Sequence, residues 1–433
     1  MTTISRRVLI GRIGAVVGAA AVGPRAAAAQ GAQAAPPPPP SPFDVHRDYG
    51  PNADPVSYPD QDIITIDPAF NAMRVNNSGI HRLWTGGSWS EGPAWCSQGK
   101  YLVWSDVPMG VQRRWIDDDG RVTVFRNASN NSNGNTFDFQ GRQVTCEHTG
   151  RRIARYEHDG SITSIAETYM GQRINSPNDV APHRDGSYWF TDPAAGFTLY
   201  EGAPEVSGGA GNADGRYNSR AGQAIGVGNA KREIMTANVY RADPQSGRVD
   251  MMVSSANLAG NPNGIAFSPD YRKVYIVNAG NVHSFDIGAD NKLANQKEFS
   301  NMMVDGVRCG TDGIRVDVNG NLWCGSNAGR NLGYSGVTVW SPEGKLLGRI
   351  RLPETCANLA FGGPKRNRLF MTAAQSLYAV LCEYAGSFAG LDSCPLPTAF
   401  TPSAAAPSSP RDRALSRARD GRARASAARS RAG

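Results

Sequence analysis

Ser176-Pro177-Asn178-Asp179-Val180, followed by the turn Asp185-Gly186 and the run Ser187-Tyr188-Trp189-Phe190-Thr191-Asp192-Pro193, has the form of a hairpin opened by a polar pair. Asn178 stands eight residues before Gly186, and the same offset recurs along the chain. Glu91 is eight before Gly99, Asn133 eight before Gly141 and Asp312 eight before Gly320, while Asn263 is eight before Tyr271. A looser sixth copy has Asn358 leading Leu359-Ala360-Phe361-Gly362-Gly363 into a turn over 364–367. One carboxylate or carboxamide side chain thus opens each of six hairpins.

Successive markers lie 42, 45, 85, 49 and 46 residues apart. Between them run short alternating segments such as Lys100-Tyr101-Leu102-Val103-Trp104 and Lys273-Val274-Tyr275-Ile276-Val277, broken by Gly, Asn and Asp. Hardly any helical period is present. A period in the forties with about four strands per repeat is the signature of a β-propeller. The expected fold is therefore all-β, a six-bladed β-propeller over 60–400. The 85-residue gap contains Gly202 to Gly228, rich in Gly, Ala and Asn and without alternation. It reads as a lid-like insertion at about 201–238, not as a seventh blade without its marker. Residues from about 60 to 80 are expected to close the ring with the C-terminal blade.

The two ends read differently from the body. Arg6-Arg7, then Val8-Leu9-Ile10 and a small-residue run to Ala27-Ala28-Ala29, resemble a twin-arginine export signal over 1–34. That implies a periplasmic or secreted bacterial protein. Arg12 and Arg25 leave about 12 uninterrupted apolar or small residues against the roughly 20 of a bilayer span, so no stable membrane anchor is expected. Pro36–Pro40 opens a Pro-rich linker over 35–59, and 401–433 reads as a disordered Arg/Ala-rich tail. Of the net +7, the leader supplies +4 and 403–433 supplies +6, which leaves −3 on the body. The basic tail lacks interleaved aromatics, so no nucleic acid is expected as a partner. Seven cysteines without a C-x-x-C pair argue against a disulfide framework or a thiolate zinc site and read as buried thiols.

In a propeller the first strand of each blade lines the central channel, so the six markers should ring one level of it. Strands rise about 3.3 Å per residue, so eight residues descend roughly 26 Å to the turn, and the returning strand comes back to the same end. Asp106, His148, Asp192, Asn278 and Asn327 should then lie near that rim, as should the insertion after Asp192. The ring holds two acids, Glu91 and Asp312, and four asparagines, with no cysteine or histidine. An all-oxygen set suits a hard cation, calcium first, with magnesium or manganese as alternatives.

The wording of these motifs resembles the gluconolactonase/regucalcin (senescence marker protein) family. The resemblance is carried by Glu91-Gly92-Pro93-Ala94-Trp95, Trp104-Ser105-Asp106, Asn133-Gly134, Cys146-Glu147-His148, Ser176-Pro177-Asn178-Asp179, Pro262-Asn263-Gly264-Ile265-Ala266-Phe267 and Asp312-Gly313-Ile314-Arg315-Val316-Asp317, in order from about 80 to 381. It implies one divalent metal cation in the channel, calcium ahead of zinc, magnesium or manganese. It implies Glu91, Asn178, Asn263 and Asp312 as metal ligands, and Asp312 as the general base. It further implies Arg173, Asn178, Asn133 and His148 as substrate contacts, with Glu147 and Asp192 behind them.

The activity so implied is that of a carboxylic ester hydrolase, a gluconolactonase-like lactonase acting on a small sugar lactone. The cation would polarise the carbonyl while Asp312 assists attack by water. Two alternatives share the site: a phosphotriesterase of the fluorophosphatase type, and a propeller that binds calcium or a sugar acid without turning it over. The long insertion would reshape the mouth, which leaves the substrate more open than the chemistry.

Overall fold

The computed structural model describes residues 47–387 apart from 51, 195–231, 259 and 332. The segments read above as an export signal and a disordered tail, and most of the stretch read as an insertion, lie outside the described residues. Within them six antiparallel sheets follow one another along the chain. Blade one comprises Ser90–Cys96, Tyr101–Asp106, Val111–Ile116 and Val122–Asn127, each strand paired with the next. Blades two, three, four and five repeat the pattern over 132–166, 180–254, 262–300 and 310–351. In blade three Tyr188–Asp192 pairs directly with Asn238–Asp243. The 85-residue gap is thus an insertion between two neighbouring strands, and the count is six.

Ring closure differs in detail from the expectation. Cys356–Gly362, Arg368–Ala373 and Ser376–Leu381 form three strands of blade six, and the fourth is His81–Thr85, just beyond the segment expected to supply it. The earlier strand, Ile63–Thr65, is instead a fifth strand on blade five, paired with Leu346–Arg351. The reason is local. Asp62 takes the guanidinium of Arg351 at 2.6 Å, and Phe70, delivered by the turn over Pro68–Ala72, is buried beside Trp323. These contacts spend residues 62–72 on blade five before the chain reaches blade six. Upstream, Arg47 reaches Asp60 at 2.8 Å and Asp62 at 3.2 Å, and the Tyr49 ring meets Tyr378 edge-on at 5.2 Å.

The blades are welded by aromatic side chains on their facing sheets. Trp95 of blade one stacks on Phe370 of blade six at 5.8 Å, Trp189 meets Phe267 at 5.4 Å between blades three and four, and Trp323 meets Phe361 at 5.4 Å between blades five and six. Each such ring contributes about 2–3 kcal/mol by burial. Six of the seven cysteines are buried free thiols in this packing, as expected for apolar strand positions, and the seventh lies outside the described residues.

One irregularity is repeated in register. The pairing of first and second strands shifts between Glu91 and Ala94, Ser132 and Asn135, Pro262 and Ile265, Thr311 and Ile314, and Cys356 and Asn358. In blade three the first strand begins only at Val180, just past its marker. A β-bulge kinks its strand and re-aims a side chain. Here it takes in the marker in blades two, four and five and adjoins it in blades one and six. The glycine after the marker is what lets adjacent blades approach. A Cβ on Gly92 would lie 2.1 Å from the Asn133 carbonyl oxygen, and one on Gly134 would lie 2.6 Å from that of Asn178.

Candidate active site

The innermost strands touch in cyclic order, blade six closing on blade one, so the markers share one level of the channel. Second strands end beside them: Ser90 pairs with Asp106, Ser132 with Glu147, Pro262 with Asn278 and Gly310 with Asn327. The rim expected from counting residues is the rim observed.

Glu91 is buried, and its Oε2 accepts the Gly92 N–H at 2.9 Å. Asp312 is half-buried and accepts from the Asn263 side chain. Burial, the Asp312 charge and the more distant Asp179 hold the Glu91 carboxyl well above the usual carboxylate range, against the pull of the Gly92 and Asn358 hydrogen bonds. Burial and the Asp179 charge push Asp312 up to about 7. The two acids therefore resist ionising together, as closely placed carboxyls without a counter-charge do. Asn133 and His148 form a second pair, Nδ2 to Nε2 at 3.3 Å. Burial lowers His148 to about 4, so its ring is neutral at ordinary pH.

Asn178 is half-buried at the same level, its carbonyl accepting the Gly134 N–H at 2.8 Å. Its turn is held from behind by Asp192, whose Oδ2 accepts the Asn175 N–H at 2.8 Å. Glu147 is fully buried in an ion pair with Arg152 at 2.7 Å. Arg173 stands apart from the ring: it is exposed, and its guanidinium donates to the Gly150 carbonyl at 2.8 Å in the turn that follows His148.

Sequence reasoning passed over Asp179. It is fully buried and receives Arg315 at 3.3 Å and the Asn358 carboxamide at 3.4 Å. A signal was present. Four of the six markers are followed by glycine, and blade three carries a carboxylate there instead. Asp179 takes the Arg315 guanidinium and adds its charge to those of Glu91 and Asp312, a third acid among carboxamides. Among the described residues no three His, Cys, Asp or Glu side chains group closely enough to hold a metal unaided. The donor set still fits a hard cation, because the asparagines supply neutral oxygen. Moreover Asn133 Oδ1, Asn278 Oδ1 and Asp192 Oδ1 are buried at this end without a hydrogen-bond partner.

The SMP-30/Gluconolactonase/LRE-like region profile matches residues 89–375. The chain is 26% identical over 345 residues to the gluconolactonase of Zymomonas mobilis, covering 73% of this chain and 85% of that protein. Among solved structures, a gluconolactonase of Xanthomonas campestris superposes with a TM-score of 0.62 at 31% identity, covering 78% of this chain and 99% of that one. The calcium-binding protein regucalcin of Agrobacterium tumefaciens superposes at 0.51 with 19% identity, over 71% of this chain and 94% of that one, a likeness of fold. The matched region spans all six markers, and the chain belongs to the SMP-30/gluconolactonase/LRE-like family.

Proposed function

We propose that this chain hydrolyses a small sugar lactone and that its channel ring holds one divalent cation for the purpose. The observation that carries the reading is the burial of Glu91 and Asp312 among neutral carboxamides, where burial and neighbouring negative charge, Asp312 and Asp179 for Glu91 and Asp179 for Asp312, raise the proton affinity of both. A divalent ion removes that penalty, and the gluconolactonase relatives supply the substrate class. Glu91, Asn178, Asn263 and Asp312 would hold the ion, with calcium the best match to an all-oxygen set. When bound, it supplies electrophilic polarisation of the lactone carbonyl.

The remaining work falls to side chains. Asp312 takes the proton from the attacking water as general base. Asn133 and neutral His148 present uncharged donors and acceptors to the sugar hydroxyls. Asp192 keeps the Asn175–Asn178 turn in place through its hydrogen bond to the Asn175 N–H. Arg173, beside the His148 turn, reaches the part of the substrate that projects from the mouth.

The test is hydrolysis of D-glucono-1,5-lactone followed by pH-stat, after chelation and after adding back calcium, magnesium, manganese or zinc. Background opening of the lactone is subtracted. Turnover that disappears on chelation and returns with an ion is expected. Absence of turnover on a panel of lactones, with ion binding demonstrated by calorimetry, would sink the lactonase reading.

A further inference from the structure

Below the ring the channel widens into a chamber that the lactonase reading does not use. Two cavities of ≈ 80 and ≈ 60 Å³ meet there, sharing Thr136, Arg315 and Ser387. All six innermost strands contribute to their walls, through positions such as Ala94, Thr136, Ala181, Ala266, Arg315 and Ala360. These lie two to three residues beyond the markers, roughly 7–10 Å deeper along each strand. One water needs about 10–15 Å³ of such space, so each cavity admits a small ion with attendant water.

The charge of the walls has one sign. Arg315 and Arg366 both line the chamber, and among the described residues no Asp or Glu does. Tyr271 projects from the opposite side, with the Arg184 guanidinium 5.6 Å from its ring centroid. Ser268 and Thr136 bring hydroxyl groups. Arg315 also joins this chamber to the ring above, since the same guanidinium donates to Asp179.

The turns beneath the channel supply two of the lining residues, Tyr271 and Arg366. In blades two, three and five the turn residue eight after the marker is glycine, Gly141, Gly186 or Gly320, with φ of 77°, 88° and 85°. Blades four and six close the same turn, with N–H to carbonyl bonds from Tyr271 to Ser268 and from Arg366 to Gly363, both 2.9 Å. Yet these two residues have bulky side chains at φ of 58° and 55°. The left-handed region disfavours such residues by about 1–2 kcal/mol each. Blade one does the same with Lys100 at φ 50°, which does not line the chamber, so the conformation belongs to the turn, and Tyr271 and Arg366 are the two of these three residues that line the chamber.

We propose that the lower chamber is a binding site for a small oxyanion, held by Arg366 and Arg315 and bounded by Tyr271. The planar guanidinium forks match tetrahedral and carboxylate oxygens alike. Phosphate and sulfate represent the tetrahedral class and acetate the planar one.

The experiment is calorimetric titration of each anion, separately, into the full chain in low-chloride buffer. Saturable one-site binding of at least one anion is expected, weakened tenfold or more in both Arg366→Gly and Arg366→Met. The glycine variant gives the turn the residue its backbone prefers, so its Tm should equal or exceed that of the parent while the anion-induced rise in Tm is lost. The methionine variant keeps the bulk and removes only the charge. No saturable binding of any of the three anions, or equal affinity in parent and both variants, overturns the proposal.

Discussion

Asp179 and Asn358 are 179 positions apart and belong to blades three and six, which face each other across the ring, yet the Asn358 carboxamide donates to the Asp179 carboxylate at 3.4 Å. With Arg315 of blade five at 3.3 Å from the same carboxylate oxygen, the three side chains form a polar floor that runs from the marker Asn358 to Arg315 in the chamber wall. Asp179 also adds its charge to both acids of the ring.

That charge gives the pH profile a defined response. Asp179→Asn removes a negative neighbour and leaves Arg315 in place, so the apparent pKa of the Glu91–Asp312 pair should fall. In the cation-free protein the pH window over which stability falls should move to lower pH by about half a unit or more. A window that stays fixed or moves upward would show that Asp179 does not act on the pair.

Asp312→Asn separates chemistry from scaffolding. Turnover of glucono-1,5-lactone should drop by about 10²-fold or more, the usual contribution of a general base. The fold should survive, because the carboxamide is nearly isosteric; unchanged far-ultraviolet circular dichroism would check this. Hydrolysis at the parent rate would exclude Asp312 as the base.

The cation-free protein should lose stability as the pH rises from about 5 to about 7.5. In the folded state Asp312 holds its proton to about 7 and Glu91 well above its ordinary value, whereas the unfolded chain releases both near pH 4. The folded state then binds more protons than the unfolded one throughout this window, and the linkage makes stability fall with pH. Calcium should offset the loss and so raise Tm more at pH 8 than at pH 5. Urea melts with and without chelator at both values provide the measurement. A chelated protein more stable at pH 7.5 than at pH 5 contradicts the assignment.

Gly92 tests the close approach of the blades. An alanine there must adopt φ near 52° and place its Cβ 2.1 Å from the Asn133 carbonyl oxygen. We expect Gly92→Ala to cost about 2–4 kcal/mol and to weaken cation binding, because it pushes the first two markers apart. The same substitution at Gly160, where a Cβ would meet nothing within 4 Å, serves as the control for backbone strain alone.

The repeat of polar marker, strand and turn is written in spacing, and spacing is local. A run of alternating residues between turn signals becomes a strand wherever it sits, so blade number, the ring of markers and the rim at the second-strand ends were all legible before any coordinates. So was the position of the insertion, because a Gly-rich stretch without alternation cannot be a blade. Closure was only nearly so: Ile63–Thr65 and His81–Thr85 are both strand-like, and which one completes blade six depends on Asp62 finding Arg351 and Phe70 finding Trp323. The tertiary structure alone decided the floor and the chamber. Asp179, Asn358 and Arg315 meet because a closed ring turns three blades to face one another. No periodicity along the chain records which side chains cross the gap. Tyr271 and Arg366 likewise look like ordinary turn residues until the ring brings both into one cavity beside Arg315.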